Sequence, residues 1–128
     1  MKFLILIYCG PGGWMLPGFL RSPEAPAMSR VDRAGPTETL FTELTESGEL
    51  VAGTALADPL DGRTVRVHDG VPTVEDGPHD ATRAQLAGYV VVDCEHRHRA
   101  GEIAARFPSA RSGAVEVRPI MDMSGQEM

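Results

Sequence analysis

Two uninterrupted aliphatic stretches constrain the fold more than any other feature of the sequence. FLILIY (3–8) and GYVVVDC (88–94) are apolar at both alternating positions, which is typical of strands covered on both faces of a sheet. AVEVRP (114–119) alternates apolar and charged residues instead, as a half-exposed strand does. ELVAGTAL (49–56) is a weaker strand. The pattern predicts a sheet with two central strands and weaker or alternating strands at its edges.

A fifth segment, RTVRVHDGVPTVED (63–76), has the composition of a β-hairpin inserted between the second and third predicted strands. Asp69-Gly70 stands at its centre, and this dipeptide favours a two-residue type I′ turn. The Gly- and Pro-rich segment 9–28 is predicted to be a long loop, and residues 122–128 a polar tail.

Two segments carry helical signals. TETLFTELTESG (37–48) offers Thr37 as an N-cap and Gly48 as a stop. HRHRAGEIAARFP (96–108) places small and apolar residues on one side and is followed by Pro108 at its end. Both helices are predicted to pack on the sheet.

The resulting order is strand, helix, strand, inserted hairpin, strand, helix, strand. This βαββαβ order predicts an α+β, ferredoxin-like fold, in which an antiparallel sheet in the spatial order 4-1-3-2 carries both helices on one face. The other face then exposes an aliphatic patch of several hundred Å², larger than monomers usually leave in water. We therefore expect a homodimer that packs through the open sheet face, with a cavity for a small organic ligand between the sheet and its partner.

Composition excludes several classes of function. The chain has 128 residues, 42% of them hydrophobic, which fits one globular domain. Its net charge of -6 argues against a nucleic-acid partner, which requires a basic face. No apolar run reaches the ~18–20 residues of a membrane span, and the apolar start MKFLILIYCG lacks a cleavage site of the signal-peptide type. A cytoplasmic protein without a membrane segment is expected.

Three short motifs resemble one protein family. Asp76-Gly77-Pro78, the segment Gln85–Tyr89 and the strand Val115–Pro119 occur in an order that is similar to the YCII-related family, in its DGPF-type branch. The resemblance covers most of residues 47–123 and, loosely, the first strand. It implies a dimeric α/β barrel built from one ferredoxin-like domain over residues 1–121, followed by the tail.

The sequence also departs from the pattern of that family. His79 stands where the DGPF-type branch usually has phenylalanine. Some members of the wider family have a proposed His/Asp pair whose histidine lies on the first helix, but here no histidine precedes His68. That pair is not carried over, and most of the branch has no assigned reaction.

DGPHD (76–80) is the first candidate site. Asp76 is a candidate general base, His79 a group that exchanges protons near neutral pH, and Asp80 a carboxylate that would orient His79. The simpler interpretation is a turn, because Gly-Pro sequences with flanking aspartates favour one.

A second candidate set would bind the substrate. Glu116 and Arg118 share one face of the last strand, where an arginine can clamp a carboxylate; a surface ion pair or a charge that guards the sheet edge is the alternative. Tyr8 and Tyr89 end or begin the central strands, and Trp14 lies in the loop, where it would cover the pocket or pack on the sheet edge.

Cys94, His96 and His98, together with Cys9, form a third set. Strands 1 and 3 are interpreted as parallel neighbours with both cysteines at their C-terminal ends, so the two cysteines are expected to lie close together, and cysteine and histidine are zinc ligands. The spacing matches no established metal motif, however, so no metal and no cofactor is expected.

These observations lead to two main hypotheses, and a metal-binding module built on the Cys/His set is a third possibility. The first is a dimeric barrel that binds a small, largely apolar metabolite and, if it is an enzyme, uses acid/base side chains in a cofactor-independent lyase, isomerase or cyclisation step. The alternative is a non-catalytic sensor or accessory protein, for example a sigma-factor-associated regulator.

Overall fold

A computed structural model describes residues 1–9 and 35–127 of the chain. The regular elements within these residues are, in chain order, strand β1 (Lys2–Cys9), helix α1 (Gly35–Ser47), strand β2 (Leu50–Ala55), a 3-10 turn (Pro59–Asp61), strands β3 (Arg63–His68), β4 (Val71–Asp76) and β5 (Gln85–Asp93), helices α2 (Arg97–Ala105) and α3 (Ser109–Ser112), and strand β6 (Ala114–Pro119). No helix among the described residues is both long and apolar enough to cross a membrane.

The main sheet has four strands in the order β2-β5-β1-β6, and each neighbouring pair is antiparallel. With β5 as the third strand of the motif and β6 as the fourth, this is the predicted order 4-1-3-2. The α+β ferredoxin-like prediction is therefore confirmed. The two aliphatic strands occupy the centre, because only there can both of their edges be hydrogen-bonded.

The core fills one face of this sheet. Phe3, Ile5 and Ile7 alternate along β1 and are at most 2% exposed. They pack with core-facing side chains of the other elements, namely Val90 and Val92 of β5, Leu40 and Leu44 of α1, and Ala100, Ile103, Ala104 and Phe107 of α2 and the residues after it. Both helices thus cover the same face, and within residues 1–9 and 35–127 no helix covers the other one.

The helix boundaries differ in detail from the predicted ones. Helix α1 begins at Gly35, so Thr37 lies inside its first turn and is 1% exposed; the prediction of Thr37 as N-cap was wrong, because the preceding Gly-Pro pair can enter the helix. Gly48, with φ of +78°, follows its end as predicted. At α2 the N-cap is His96, whose Nδ1 accepts the Arg99 N–H at 3.2 Å.

The prediction that strands 1 and 3 are parallel was wrong. Strand β5 runs antiparallel to β1, so Cys9 pairs with Gln85. Cys94 lies at the other end, where its N–H donates to the Met1 carbonyl. The reason is topological: β2 is parallel to β1, and the chain reverses again through the hairpin before β5. Eight residues of strand separate the cysteines, which is about 25 Å.

The inserted hairpin forms as predicted and makes a two-stranded sheet of its own, β3-β4. Asp69 and Gly70 have φ of 50° and 78°, the positive values that a type I′ turn needs at both positions. The base of the hairpin is closed by the Gly77 N–H, which donates to the Gly62 carbonyl at 2.7 Å. This hairpin is called the arm below.

Candidate functional site

The uncovered face of the main sheet is called the open face. It is formed by the residues that alternate with the core, as the strand registers show: Leu4, Leu6 and Tyr8 of β1, Tyr89 and Val91 of β5, Ala52 and Thr54 of β2, and Glu116 and Arg118 of β6. Leu4 pairs with Val91 on one side and Arg118 on the other, and Leu6 pairs with Tyr89 and Glu116. Four of the five predicted substrate-binding residues therefore share this face. The fifth, Trp14, lies outside the described residues.

Tyr8 and Glu116 are in direct contact on the open face. The Tyr8 hydroxyl donates to Glu116 Oε1 at 3.3 Å. Burial of the phenol raises the pKa of Tyr8, and the negative charge of Glu116 raises it further, while the Arg118 charge lowers it. The phenol thus stays protonated at neutral pH and acts as a hydrogen-bond donor.

A cavity with a volume of about 470 Å³ lies where β1 ends and β5 begins, and it is called the Tyr8 pocket. Most of its wall is apolar, and polar groups stand at a few places. The lining residues are Tyr8, Leu56, Ala57, Asp58, Pro59, Asp61, Gly62, His79, Ala84, Gln85 and Leu86. A mostly apolar cavity with a few polar groups is the usual form of a small-molecule site.

Local hydrogen bonds fix both walls of the Tyr8 pocket. On one wall, Asp58 Oδ1 accepts the Leu60 N–H at 2.9 Å and starts the 3-10 turn. On the other, Gln85 Nε2 donates to the carbonyls of Asp80 and Arg83 at 2.7 and 2.9 Å. The side chain of Gln85 therefore holds the turn that carries His79.

The three residues predicted to perform acid/base chemistry are not gathered in one place. His79 lines the pocket. The Asp76 carboxylate is 89% exposed and pairs with Arg63 at 3.6 Å on the arm. Asp80 accepts hydrogen bonds from the Thr82 N–H and hydroxyl, which lower its pKa, and pairs with Arg83. Each aspartate thus has other partners than the imidazole.

Sequence reasoning missed several residues of the pocket, above all Asp58, Asp61 and Gln85. The first two lie in ADPLDG (57–62), in which an Asp-Pro pair directly after a predicted strand signals a capped turn. Gln85 occurs in one of the motifs that carry the family resemblance. Its position opposite Cys9 follows from the antiparallel register, which the sequence interpretation had reversed.

A second, polar cavity of about 650 Å³ lies at the other end of β1 and β5. A two-pronged ion pair crosses it: Arg99 Nε and Nη2 donate to the Glu49 carboxylate at 2.9 and 2.8 Å. This pair lowers the pKa of Glu49 and raises that of Arg99. Because it joins α2 to the segment before β2, its role is structural.

Two members of the predicted Cys/His set, Cys94 and His96, line this polar cavity, whereas Cys9 lies at the opposite end of β1. Burial raises the pKa of the Cys94 thiol, and His96 uses its Nδ1 for the helix cap. Among residues 1–9 and 35–127, no three Cys, His, Asp or Glu side chains converge in a way that would hold a metal ion.

Comparison with known proteins agrees with the fold. The model of the YCII-related domain matches residues 1–124. One similar protein is the uncharacterized protein R00369 of Rhizobium meliloti (strain 1021), which is 32% identical over 77 residues, or 59% of this chain. The match spans 62% of that protein, less than two thirds of its length. From the family match and the four-stranded sheet, the chain belongs to the YCII-related family.

Proposed function

We propose that this protein is a homodimer that binds a small, largely apolar organic molecule in the Tyr8 pocket. One observation carries the proposal: Tyr8 belongs to both candidate regions. Its hydroxyl contacts Glu116 on the open face, and the same residue lines the pocket. A partner that covers the open face therefore also narrows the mouth of the pocket.

The open face supports a second copy as that partner. Leu4, Leu6 and Val91 are only partly buried there. Soluble monomers rarely leave a large apolar patch in contact with water, because burying it is favourable. Glu116 and Arg118 add one charge of each sign next to each other on the same strand. Two copies of the chain can pair these opposite charges across a two-fold axis, because an isologous interface presents the same patch twice.

The ligand class follows from the pocket wall. Aliphatic groups such as Leu56, Pro59 and Leu86 favour an apolar body. Tyr8 and His79 also line the pocket and carry a hydroxyl and an imidazole as groups for polar contacts. We infer a ligand with an apolar ring or chain and one polar group, of a size that about 470 Å³ accommodates.

If the bound molecule is converted, His79 is the residue that would move a proton. Histidine changes its protonation near neutral pH, and a second copy would exclude water from the reacting atoms. Tyr8, kept protonated by burial and by Glu116, would donate its single O–H to a carbonyl or enolate oxygen in place of Glu116 Oε1. This combination supports a cofactor-independent isomerase or lyase step.

A non-catalytic sensor or accessory protein is the second candidate, and one observation favours it. The carboxylates of Asp76 and Asp80 are engaged with Arg63 and Thr82, so neither of these two predicted partners is held on the imidazole of His79 by a hydrogen bond. A binding protein needs no such orientation, whereas a general base gains from it.

The test is a titration of ¹⁵N-labelled protein with phenylacetate, which has an apolar ring and a carboxylate. We expect amide shifts at Tyr8, Leu56 and Leu86 around the pocket. His79→Phe, which restores the residue usual in the DGPF-type branch, should weaken binding several-fold. His98→Phe is the matched control, because His98 is exposed on α2 and does not line the pocket.

Shifts confined to the polar cavity around Glu49 and Arg99, or equal effects of both histidine variants, would contradict the proposed site. Turnover separates the two candidate functions. Once a substrate is identified, a loss of kcat in His79→Phe supports the enzyme, and unchanged kcat rules out His79 as the proton-transfer group.

A further inference from the structure

We infer that the arm is a second part of the dimer interface, and that its valine face packs against the second copy of the chain. The inference rests on the homodimer proposed above and extends it to a surface outside the main sheet. It assigns a role to the inserted hairpin, which neither the core nor the Tyr8 pocket uses.

The two faces of the arm differ in chemistry. Val65 pairs with Val74, and Val67 pairs with Pro72, which places four apolar side chains on one face. The three valines are 60%, 57% and 68% exposed, in the order Val65, Val74, Val67. The other face is more polar and carries the Arg66–Glu75 ion pair.

Within the part of the chain that the structure describes, side-chain hydrogen bonds attach the arm through its polar side. The Thr64 hydroxyl donates to the Gly77 carbonyl at 2.9 Å, and Arg66 Nη2 donates to the His79 carbonyl at 3.3 Å. All residues of β4 are exposed, and no described residue covers the valine face. A two-stranded hairpin is marginally stable by itself in water and needs a packed face.

The size of the open face and of the arm supports a second copy of the chain as the partner. Four strands of about six residues present roughly 400 Å² in projection. A standard interface takes about 800 Å² of accessible surface from each partner, and the valine face of the arm adds exposed apolar surface to that of the sheet. Within the described residues, the arm holds the largest group of exposed aliphatic side chains. In an isologous interface both copies contribute the same patch, so the arm of each copy would add its area.

The arm is also continuous with the region that the second copy closes. Gly62 lines the Tyr8 pocket and directly precedes β3. Arg63 and Asp76 form an exposed ion pair at the base of the valine face, 3.6 Å apart. An apolar centre with a charged rim is the usual arrangement of an interface.

A pair of valine variants tests the inference. Val67→Glu places a charge on the valine face. Val71→Glu is the matched control, because Val71 pairs with His68 on the other face and is exposed to 61%, against 68% for Val67. In sedimentation equilibrium of the full chain we expect Val67→Glu to raise the dimer dissociation constant about tenfold or more, and Val71→Glu to leave it within about twofold.

A third variant separates the arm from the open face. Leu6→Glu, in the middle of the open face, should abolish the dimer. If Leu6→Glu dissociates the dimer and Val67→Glu does not, the role of the arm is refuted and the proposed homodimer stands. If the unmodified chain is a monomer at micromolar concentration, both fail. Equal weakening by Val67→Glu and Val71→Glu also refutes a face-specific contact.

Hydrogen exchange provides a readout that does not depend on a variant folding well. Amides of 63–76 in the unmodified protein should exchange more slowly as its concentration rises through the dimer dissociation constant. Exchange that is independent of concentration in the arm, but slowed in β1 and β5, would overturn the inference while leaving the sheet dimer intact.

Discussion

The two faces of the central strand β1 differ although they alternate residue by residue. Phe3, Ile5 and Ile7 are at most 2% exposed beneath the helices, whereas Leu4, Leu6 and Tyr8 are only partly buried on the open face. Both sets are apolar or aromatic, so hydrophobicity alone does not distinguish them. The difference is that one set has packing partners on the helices of the described part of the chain.

This comparison shows where stability and function lie in the molecule. The covered face is completed by α1 and α2 and accounts for the fold. The open face carries the Tyr8–Glu116 contact, borders the Tyr8 pocket and is not covered by any helix of the described residues. Mutations on the covered face should therefore lower the free energy of unfolding of the protomer. Mutations on the open face should instead weaken the association of two protomers.

The largest expected effect comes from the covered face. Ile5→Ala should lower the free energy of unfolding by about 2–5 kcal/mol, because it leaves a cavity in a closed core. Leu6→Ala, one residue further on, should cost less than about 2 kcal/mol in dilute protein, and this cost should grow with protein concentration. Urea denaturation at two protein concentrations measures both. Equal, concentration-independent losses would show that the faces do not differ.

A glycine pair compares the sheet with the helix that covers it. A Cβ at Gly88 would lie 2.9 Å from the Thr54 carbonyl oxygen, where β5 and β2 are in close contact. Gly88→Ala should therefore destabilise the protein by about 1–3 kcal/mol. In α2, a Cβ at Gly101 meets nothing within 4 Å, and Gly101→Ala should stabilise by about 0.5–1 kcal/mol. Thermal unfolding with opposite signs for the two variants checks this prediction.

The ion pair of Glu49 and Arg99 predicts that the free energy of unfolding depends on pH. Its hydrogen bonds hold the pKa of Glu49 below the ordinary 4.5. The stability it contributes is thus fully present above pH 4.5 and is lost as the pH falls through the lower, folded-state pKa. Glu49→Gln should cost about 1 kcal/mol at pH 7, a modest value because Arg99 is 35% exposed.

The control for this ion pair is urea denaturation of the variant and of the unmodified protein at acid pH. The difference between Glu49→Gln and the unmodified protein should shrink as the pH falls below 4.5. A difference that is constant from pH 7 into this acid range would mean that the charge of Glu49 contributes nothing and that its packing accounts for the loss.

The smallest effect belongs to the open face. In a Tyr89→Phe background Tyr8 is the sole tyrosine, so ultraviolet titration follows its ionisation alone. Glu116→Gln should lower the pKa of Tyr8 towards 10.0 without reaching it, because burial, the larger cause, remains. A pKa that does not move would show that the Tyr8–Glu116 contact is absent in solution.

The fold was predictable where the sequence pattern has a single solution. Doubly apolar strands in 3–8 and 88–94 required central positions, and Asp69-Gly70 required a type I′ turn, as observed. The N-cap of α1 was not predictable from Thr37 alone, because a Gly-Pro pair can either precede a helix or begin one. The error over Cys9 and Cys94 came from strand direction, which is a property of the whole topology rather than of either segment.

The candidate site was predictable only in part. Tyr8 and His79 do line one pocket, since the ends of neighbouring strands meet at one edge of the sheet. The ion-pair partner of Asp76 was not predictable, because its pairing with Arg63 depends on the register of the arm. Asp58 and Gln85 act through backbone hydrogen bonds, and such contacts leave little trace in residue type.

Sedimentation equilibrium of the unmodified chain at low micromolar concentration tests the central claim most directly. We predict a particle of twice the chain mass of 13.7 kDa, and the mass of a single chain for folded Leu6→Glu under the same conditions. A single-chain mass for the unmodified protein would contradict the claim that a second copy covers the open face.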